Sequence, residues 1–324
     1  MRLINDVKHV IEAQQLSRRF LDNTLFPLAD EEGLRFVRRD FHKPLTGKEM
    51  VSLFVGESTR TRARFEIAMR RLGGEVVFST EAGDKFSSIA KGESIPDTIT
   101  IFDEYGVDVI VLRSQNKGDA LLAAGVSSIP IINAGDGPGQ HPTQALLDAY
   151  TIRRYRKEGI DGVATAFIGD VQGGRTVHSL AYILGKYEGV KIYFVSPEDR
   201  RIGPNITDYL KEHGVEYHET NDVREIASKV DVFYQTRTQV NLGTSTWDRS
   251  DPNHGYTIID QSVLATAKSD AIIMHPLPCL GEINRREVDD DPRAVYIKTR
   301  GERVSQVRCG LFVTSALLQI ILSA

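Results

Sequence analysis

The chain has 324 residues, 41% hydrophobic and 26% charged, and its 40 Lys and Arg against 44 Asp and Glu leave a formal net charge of −4. This is the composition of a soluble globular protein with room for one large or two medium domains. The slight acidity excludes the broadly basic surface that general nucleic-acid binding uses. Two cysteines, Cys279 and Cys309, are too few for a disulfide framework or a CxxC metal knuckle, and that usage suits a reducing cytoplasm.

The opening MRLINDVKHVIEAQQLSRRF reads as helical and charged throughout, without the apolar stretch of a secretory leader. VSLFV (51–55) predicts a strand that feeds the helix TRARFEIAMRRLG (61–73), where Phe65, Met69 and Leu72 form the buried stripe and Thr61 lies beside it. EVVFS (75–79) predicts a strand and IPDTITIFDEYG (95–106) a helix; VDVIVLR (107–113) and IPIINAG (129–135) predict two more strands. The long helix TQALLDAYTIRRYRK (143–157) then carries the chain over to a second half. There, TAFIGD (165–170), KIYFVSP (191–197), VDVFYQT (230–236) and AIIMHPL (271–277) predict strands, with helices at TVHSLAYILGKY (176–187) and ITDYLKEHG (206–214). GLFVTSALLQIIL (310–322) predicts a final apolar helix that docks on a domain. Continuous apolar strands separated by helices imply parallel sheets covered on both faces, here in two α/β domains. No run approaches the roughly 20 apolar residues that span a bilayer.

In such sheets ligands sit in the turns at the carboxyl ends of strands, and here those turns are rich in Arg, His, Gln and Thr. In STRTR (58–62) three polar side chains and two arginines crowd the first turn of a helix. Cations there oppose the helix dipole unless an anion is bound. Ser58 is placed to cap the helix, and Arg60 and Thr61 offer a guanidinium and a hydroxyl to a tetrahedral anion; a solvated charged turn is the alternative. In NAGDGPGQHPTQ (133–144), His141 can donate to a carbonyl oxygen and Gln144 can engage an amide; a helix-capping His is the alternative, and no second ligand at metal spacing accompanies His141. GDVQGGRT (169–176) imitates a P-loop, but Arg175 stands where the lysine belongs, and a planar arginine suits a carboxylate better. In TRTQ (236–239), Arg237 and Gln239 point to one face of an extended segment. Arg175 and Arg237 together suit a dicarboxylate. HPLP (275–278) is a rigid turn whose Leu277 carbonyl can accept from an amide NH2. SSIAKGES (87–94) reads as a mobile loop or lid.

Taken together, STRTR followed by Phe65-Glu66, the pattern S-x-x-x-K-G-E from Ser87, the arginine that ends VDVIVLR, HPTQALLDAYT, GRTVHSL and HPLP resemble the catalytic chains of aspartate carbamoyltransferases, in order across nearly the whole length. The resemblance implies a carbamoyl-phosphate domain over 1–142, an aspartate domain over 143–300 and a C-terminal helix over 301–324 packing on the first. It implies homotrimers with active sites shared between subunits, with separate regulatory chains as a further partner class. Ser58, Thr59, Arg60, Thr61 and Arg113 would hold the phosphate. His141 would polarise the carbamoyl carbonyl, and Gln144 with the carbonyls of Leu277 and Pro278 would orient its NH2. Ser87 and Lys91 would come from the neighbouring subunit, Ser87 to the carbamoyl phosphate and Lys91 to the aspartate. Arg175, Arg237 and Gln239 would bind the aspartate carboxylates. Of these, Arg60, Thr61, Lys91, Arg113 and His141 would be catalytic, with no metal and no organic cofactor.

Ornithine carbamoyltransferases share the phosphate motifs but typically carry HCLP and an SMG loop; here the turn is HPLP, no SMG occurs, and Arg237 would repel a cationic acceptor. A carbamoyltransferase for another amine acceptor and a non-catalytic binding paralogue are the alternatives. The chain departs from the family pattern at Cys279, where Arg is usual, at Arg64, where Ser is usual, at Ser114-Gln115, where His-Pro is usual, and in the C-terminal helix.

Overall fold

The computed structural model describes residues 7–56, 58–80, 89–237 and 258–323. The chain divides into two compact units, Met1–Tyr150 with Cys309–Ala324, and Thr151–Arg308.

In the first unit, Ser17 caps the short helix α1 (Arg18–Phe20), which continues through a π-turn (Leu21–Leu25) into α2 (Phe26–Arg38). The sheet follows: β1 (Glu49–Phe54), α3 (Thr59–Arg71), β2 (Glu75–Ser79), α4 (Ile95–Glu104), β3 (Val109–Ser114), α5 (Asp119–Val126), β4 (Ile131–Asp136) and α6 (Pro142–Tyr155), whose residues from Thr151 onward fall in the second unit. All pairings are parallel, in the order β2-β1-β3-β4. β1 and β4 are buried along almost their whole length, as expected of strands covered on both faces. Val51, Leu53, Ile110, Leu112 and Ile131 build the core with Ile99 of α4 and Ala120 and Ala123 of α5.

The helix expected at the chain start does not form over 7–17. Instead Val10 bridges to Ile132: its N–H donates to the Ile131 carbonyl at 2.9 Å and its carbonyl accepts from Asn133 N–H at 2.8 Å. β4 is the last strand of its sheet, so its outer row of backbone groups is open to this pairing, which outweighs a weak local helical preference.

The second unit holds β5 (Ala164–Ile168), α7 (Arg175–Leu184), β6 (Lys191–Val195), α8 (Pro204–Glu212), β7 (Glu216–Thr220), β8 (Val232–Gln235), α9 (Gln261–Thr266), β9 (Ile272–Met274) and α10 (Arg285–Val288). Its sheet is also all parallel, in the order β7-β6-β5-β8-β9. β7, sequence EYHET, escaped the sequence reading because it is a mostly exposed edge strand with no apolar run.

The last helix, α11 (Gln306–Leu322), belongs to the first unit from Cys309 onward. Phe312 lies 5.6 Å from Phe36 between ring centroids, and a Cβ at Gly33 would stand 3.1 Å from the Phe312 ring, so glycine at that point of α2 lets the two helices close up. His42 Nε2 and Gln319 Oε1 meet at 3.1 Å along the same seam. Two parallel-sheet α/β domains with a C-terminal helix on the first are thus the architecture.

Candidate active site

Parallel strands start and stop together, so the turns after adjacent strands gather at one end of each sheet. In the first unit β1, β3 and β4 are neighbours, with Phe54 paired to Arg113 and Ser114 to Asp136. Arg113 lies at the end of β3 itself, and the turns after β1 and β4 lead to Ser58 to Thr61 and to His141.

α3 opens at Thr59. Ser58 occupies the capping position but its side chain makes no cap hydrogen bond, contrary to the expectation from sequence. The first-turn amides of α3 therefore have no internal side-chain acceptor at Ser58, which leaves the helix end suited to an outside anion. Thr61 is buried, Thr59 and Arg60 are exposed. Arg62 is engaged structurally, with Nη1 donating to the Thr80 carbonyl at 3.3 Å and Nε 3.7 Å from Glu66.

Arg113 is held on both sides. Its carbonyl accepts from Val55 and Gly56 N–H at 2.9 and 3.2 Å, and its Nη1 donates to the Ala134 carbonyl at 2.9 Å. Gly135 makes that pose possible: its φ is +114°, and a Cβ there would stand 2.0 Å from Arg113 Nη1. Asp136 then shapes the loop to His141, with Oδ1 accepting from Gln140 N–H at 2.6 Å and Oδ2 from Gly118 N–H at 3.0 Å. His141 is buried, its Nδ1 3.4 Å from Thr143 Oγ1, and α6 starts behind it at Pro142. Gln144 is buried one turn in, its amide directed to Asp148. Ser114, one of the departures from the family pattern, bonds through its hydroxyl to Asp119 and accepts from Asn116 N–H, tying β3 to the start of α5. Lys91 is exposed on a 3-10 turn, Ile89–Lys91, before α4. Ser87 lies outside the described residues.

Arg64 points inward. Its Nε and Nη2 are sealed from solvent with no hydrogen-bond partner. Burial pulls its guanidinium down to about 10, with the nearby Asp148 charge opposing that and Arg60 adding to it. Gly310 of α11 gives it room, since a Cβ there would lie 3.2 Å from Arg64 Nη1.

In the second unit β5, β8 and β9 are neighbours, with Ile168 paired to Gln235 and Tyr234 to Met274. Arg175, Arg237 and the HPLP turn follow these three strands at the same sheet end. The P-loop imitation folds around its own carboxylate: Asp170, buried, accepts from Gly173 N–H at 2.8 Å, and a Cβ at Gly174 would stand 2.5 Å from the Asp170 carbonyl. An anion inside the loop would face that carboxylate, so the turn is no phosphate cradle. It delivers Arg175 as the first residue of α7, half-buried. Arg237 is exposed at the end of β8, and its carbonyl meets Asp170 N–H at 3.4 Å. Gln239 lies outside the described residues.

The HPLP turn is braced from within. His275 Nδ1 accepts from Leu277 N–H at 2.7 Å, so the ring proton sits on Nε2, which meets Glu282 Oε1 at 2.8 Å. Glu282 Oε2 accepts from Leu280 N–H at 2.8 Å, and Gln306 Oε1 accepts from His275 N–H at 2.9 Å. Leu277 has φ +61° and the Leu277–Pro278 bond is cis. Burial raises the Glu282 carboxyl, but the hydrogen bonds from His275 and backbone amides outweigh it and hold the group below its ordinary value. His275, Cys279 and Glu282 place ligand atoms within 4.8 Å of one another. Both ring nitrogens and both carboxylate oxygens are already engaged, however, and burial pushes the Cys279 thiol up, so the trio serves as a brace rather than a ready metal site. Cys279 itself packs against the core of this unit.

Asp148, Asp136, Gly135 and Glu282 escaped the sequence reading. Only Asp148 left a signal there, standing four residues after Gln144 on a helix.

The chain matches two family descriptions that together span most of it: "Aspartate/ornithine carbamoyltransferase, carbamoyl-P binding domain" over residues 8–154 and "Aspartate/ornithine carbamoyltransferase, Asp/Orn binding domain" over residues 161–320. It belongs to the aspartate/ornithine carbamoyltransferase family. Within that family it is similar to the chloroplastic aspartate carbamoyltransferase of Arabidopsis thaliana, 46% identical over 98% of this chain and 78% of that protein. Among solved structures it is similar to the aspartate transcarbamoylase of Trypanosoma cruzi in complex with carbamoyl aspartate and phosphate, with a TM-score of 0.86, 35% identity and coverage of 97% and 96%. The catalytic subunit of the M. jannaschii aspartate transcarbamoylase matches with a TM-score of 0.85, 39% identity and 98% of each chain.

Proposed function

We propose that this chain transfers the carbamoyl group of carbamoyl phosphate to the α-amine of L-aspartate, giving N-carbamoyl-L-aspartate and phosphate, an early step of pyrimidine biosynthesis. The observation that carries the reading is the placement of cationic turns: Arg60 and Arg113 at the strand ends of one sheet, Arg175 and Arg237 at those of the other. Each set suits one anionic substrate. Thr61, Ser58, Thr59, Arg60 and Arg113 take the phosphate. His141 donates to the carbamoyl oxygen, Gln144 and the carbonyls of Leu277 and Pro278 accept from its NH2, and Arg175, Arg237 and Gln239 take the carboxylates.

The amine nitrogen attacks the carbamoyl carbon as the carbonyl π pair moves onto oxygen, and the proton it sheds passes to an oxygen of the substrate's phosphate. The C–O bond to phosphate then breaks, and phosphate leaves with the electron pair. Negative charge gathers first on the carbamoyl oxygen, where His141 donates, and then on the departing phosphate, where Arg60 and Arg113 stand. Positioning and charge stabilisation are thus the catalytic means.

The assembly in this reading is a homotrimer with shared sites, Ser87 and Lys91 acting on a neighbour's substrates, in the cytoplasm. No helix among the described residues is long and apolar enough to cross a membrane. The relative from Arabidopsis is chloroplastic, so imaging of the tagged chain decides between compartments. Sizing of the native complex separates a bare trimer from one that carries regulatory chains. Incubation of purified protein with carbamoyl phosphate and L-aspartate tests the activity: carbamoyl aspartate and phosphate should form in equal amounts. Tight phosphate binding without product from any amine would instead mark a binding paralogue.

A further inference from the structure

Gln144 and Asp148 stand one turn apart on α6, both buried, and Gln144 Nε2 donates to Asp148 Oδ1 at 3.0 Å and Oδ2 at 3.2 Å. A carboxylate only accepts, so this contact fixes which end of the carboxamide faces it. The nitrogen is committed to Asp148 and Oε1 is turned away. Oε1 accepts no hydrogen bond from any described residue, yet it is not among the polar atoms sealed from solvent. The reverse orientation would set Oε1 against the carboxylate, acceptor against acceptor, inside the domain.

A carboxylate with no exposed surface needs a compensating charge. Arg64 supplies it. Its guanidinium is buried, interacts favourably with the Asp148 charge, and has two sealed donors without hydrogen-bond partners. Leu147 and Arg64 both lie against the position of Gly310 on α11, which closes over them. The residue that departs from the family pattern thus feels the charge of the carboxylate that orients Gln144.

We propose that Asp148 is a positioning residue, which pins Gln144 so that its carbonyl oxygen is presented as an acceptor to the NH2 of carbamoyl phosphate and selects that ligand over acyl phosphates lacking the N–H. The proposal rests on the reading of Gln144 as the residue that faces the carbamoyl NH2. Acetyl phosphate is the informative probe, because it replaces NH2 by a methyl group of similar size and keeps the phosphate. One hydrogen bond of this kind is equivalent to about tenfold in affinity.

The experiment measures dissociation constants for carbamoyl phosphate and acetyl phosphate in the parent chain and in Gln144→Ala, Asp148→Ala, Asp148→Asn and the double alanine variant. Gln144→Ala and Asp148→Ala should each weaken carbamoyl phosphate about tenfold and acetyl phosphate less than about threefold, and the double variant should be no worse than Gln144→Ala. Asp148→Asn, whose Oδ1 can still accept from Gln144, should recover carbamoyl phosphate binding to within about threefold. Equal loss of both ligands, a loss that multiplies with that of Gln144→Ala, or no recovery in Asp148→Asn would overturn the proposal. Should Gln144→Ala leave carbamoyl phosphate binding unchanged, the assignment of Gln144 itself fails, and the positioning role falls with it. Asp148→Val, which fills the buried volume with apolar atoms, takes the place of Asp148→Ala if the latter does not fold.

Discussion

Gly135 shows how much of the site rests on one absent side chain. Its left-handed backbone and its approach to Arg113 both exclude a Cβ. Gly135→Ala is expected to cost about 1–3 kcal/mol of stability and to move the guanidinium, weakening inorganic phosphate at least about tenfold. Calorimetric titration with phosphate checks this, and unchanged affinity would remove Arg113 from the phosphate site. Glu282 makes a different prediction at the same scale. Its carboxyl is held below 4.5 in the folded chain, so the unfolded chain binds the proton more readily. The stabilisation is present in full above about pH 4.5 and is lost as pH falls through the lower folded value. Denaturation midpoints measured from pH 7 down to 3 should therefore fall less steeply in Glu282→Gln than in the parent chain. Parallel curves would mean that the brace around HPLP does not depend on that charge.

At the scale of elements, apolar patterning made the buried strands legible. VSLFV, VDVIVLR, TAFIGD and VDVFYQT fall on β1, β3, β5 and β8, because strands buried on both faces have few polar residues to blur them. Helices α2, α5, α9 and α10 went unread, and two further misses share a cause of their own. β7 and the Val10 bridge are held by backbone pairing at sheet edges, where side chains need not be apolar, so they left no pattern to read. Site residues on turns were legible by type, while the groups that shape them were not: Asp136 acts through the distant Gly118 amide, and Glu282 through the Leu280 amide and the His275 ring, relations that residue type alone does not reveal. The helix seam tests the architecture of the first unit. Phe312 of α11 is buried against Phe36 and Gly33, and Phe312→Ala should destabilise that unit by about 3–5 kcal/mol through lost burial and the cavity left behind. Urea unfolding reads this; a loss below 1 kcal/mol would mean that α11 docks by its other contacts.

For the whole molecule, the proposed trimer makes Lys91 and Arg60 serve one site from different subunits. Arg60→Ala and Lys91→Ala should each be nearly inactive alone. Dissociated, mixed in equal amounts and reassembled, they should regain activity in about one site in four, as expected of random assembly in a closed ring. No recovery would place both residues of a site in one chain. The choice of acceptor is the claim on which the rest depends, because Arg175 and Arg237 were read as partners for two carboxylates while the phosphate motifs serve any carbamoyltransferase of this family. The direct measurement is kcat/KM for L-aspartate and for L-ornithine at saturating carbamoyl phosphate. A preference for aspartate of at least about a hundredfold, the worth of one or two charge-assisted contacts, is expected; equal use of the two amines, or a preference for ornithine, would contradict the account.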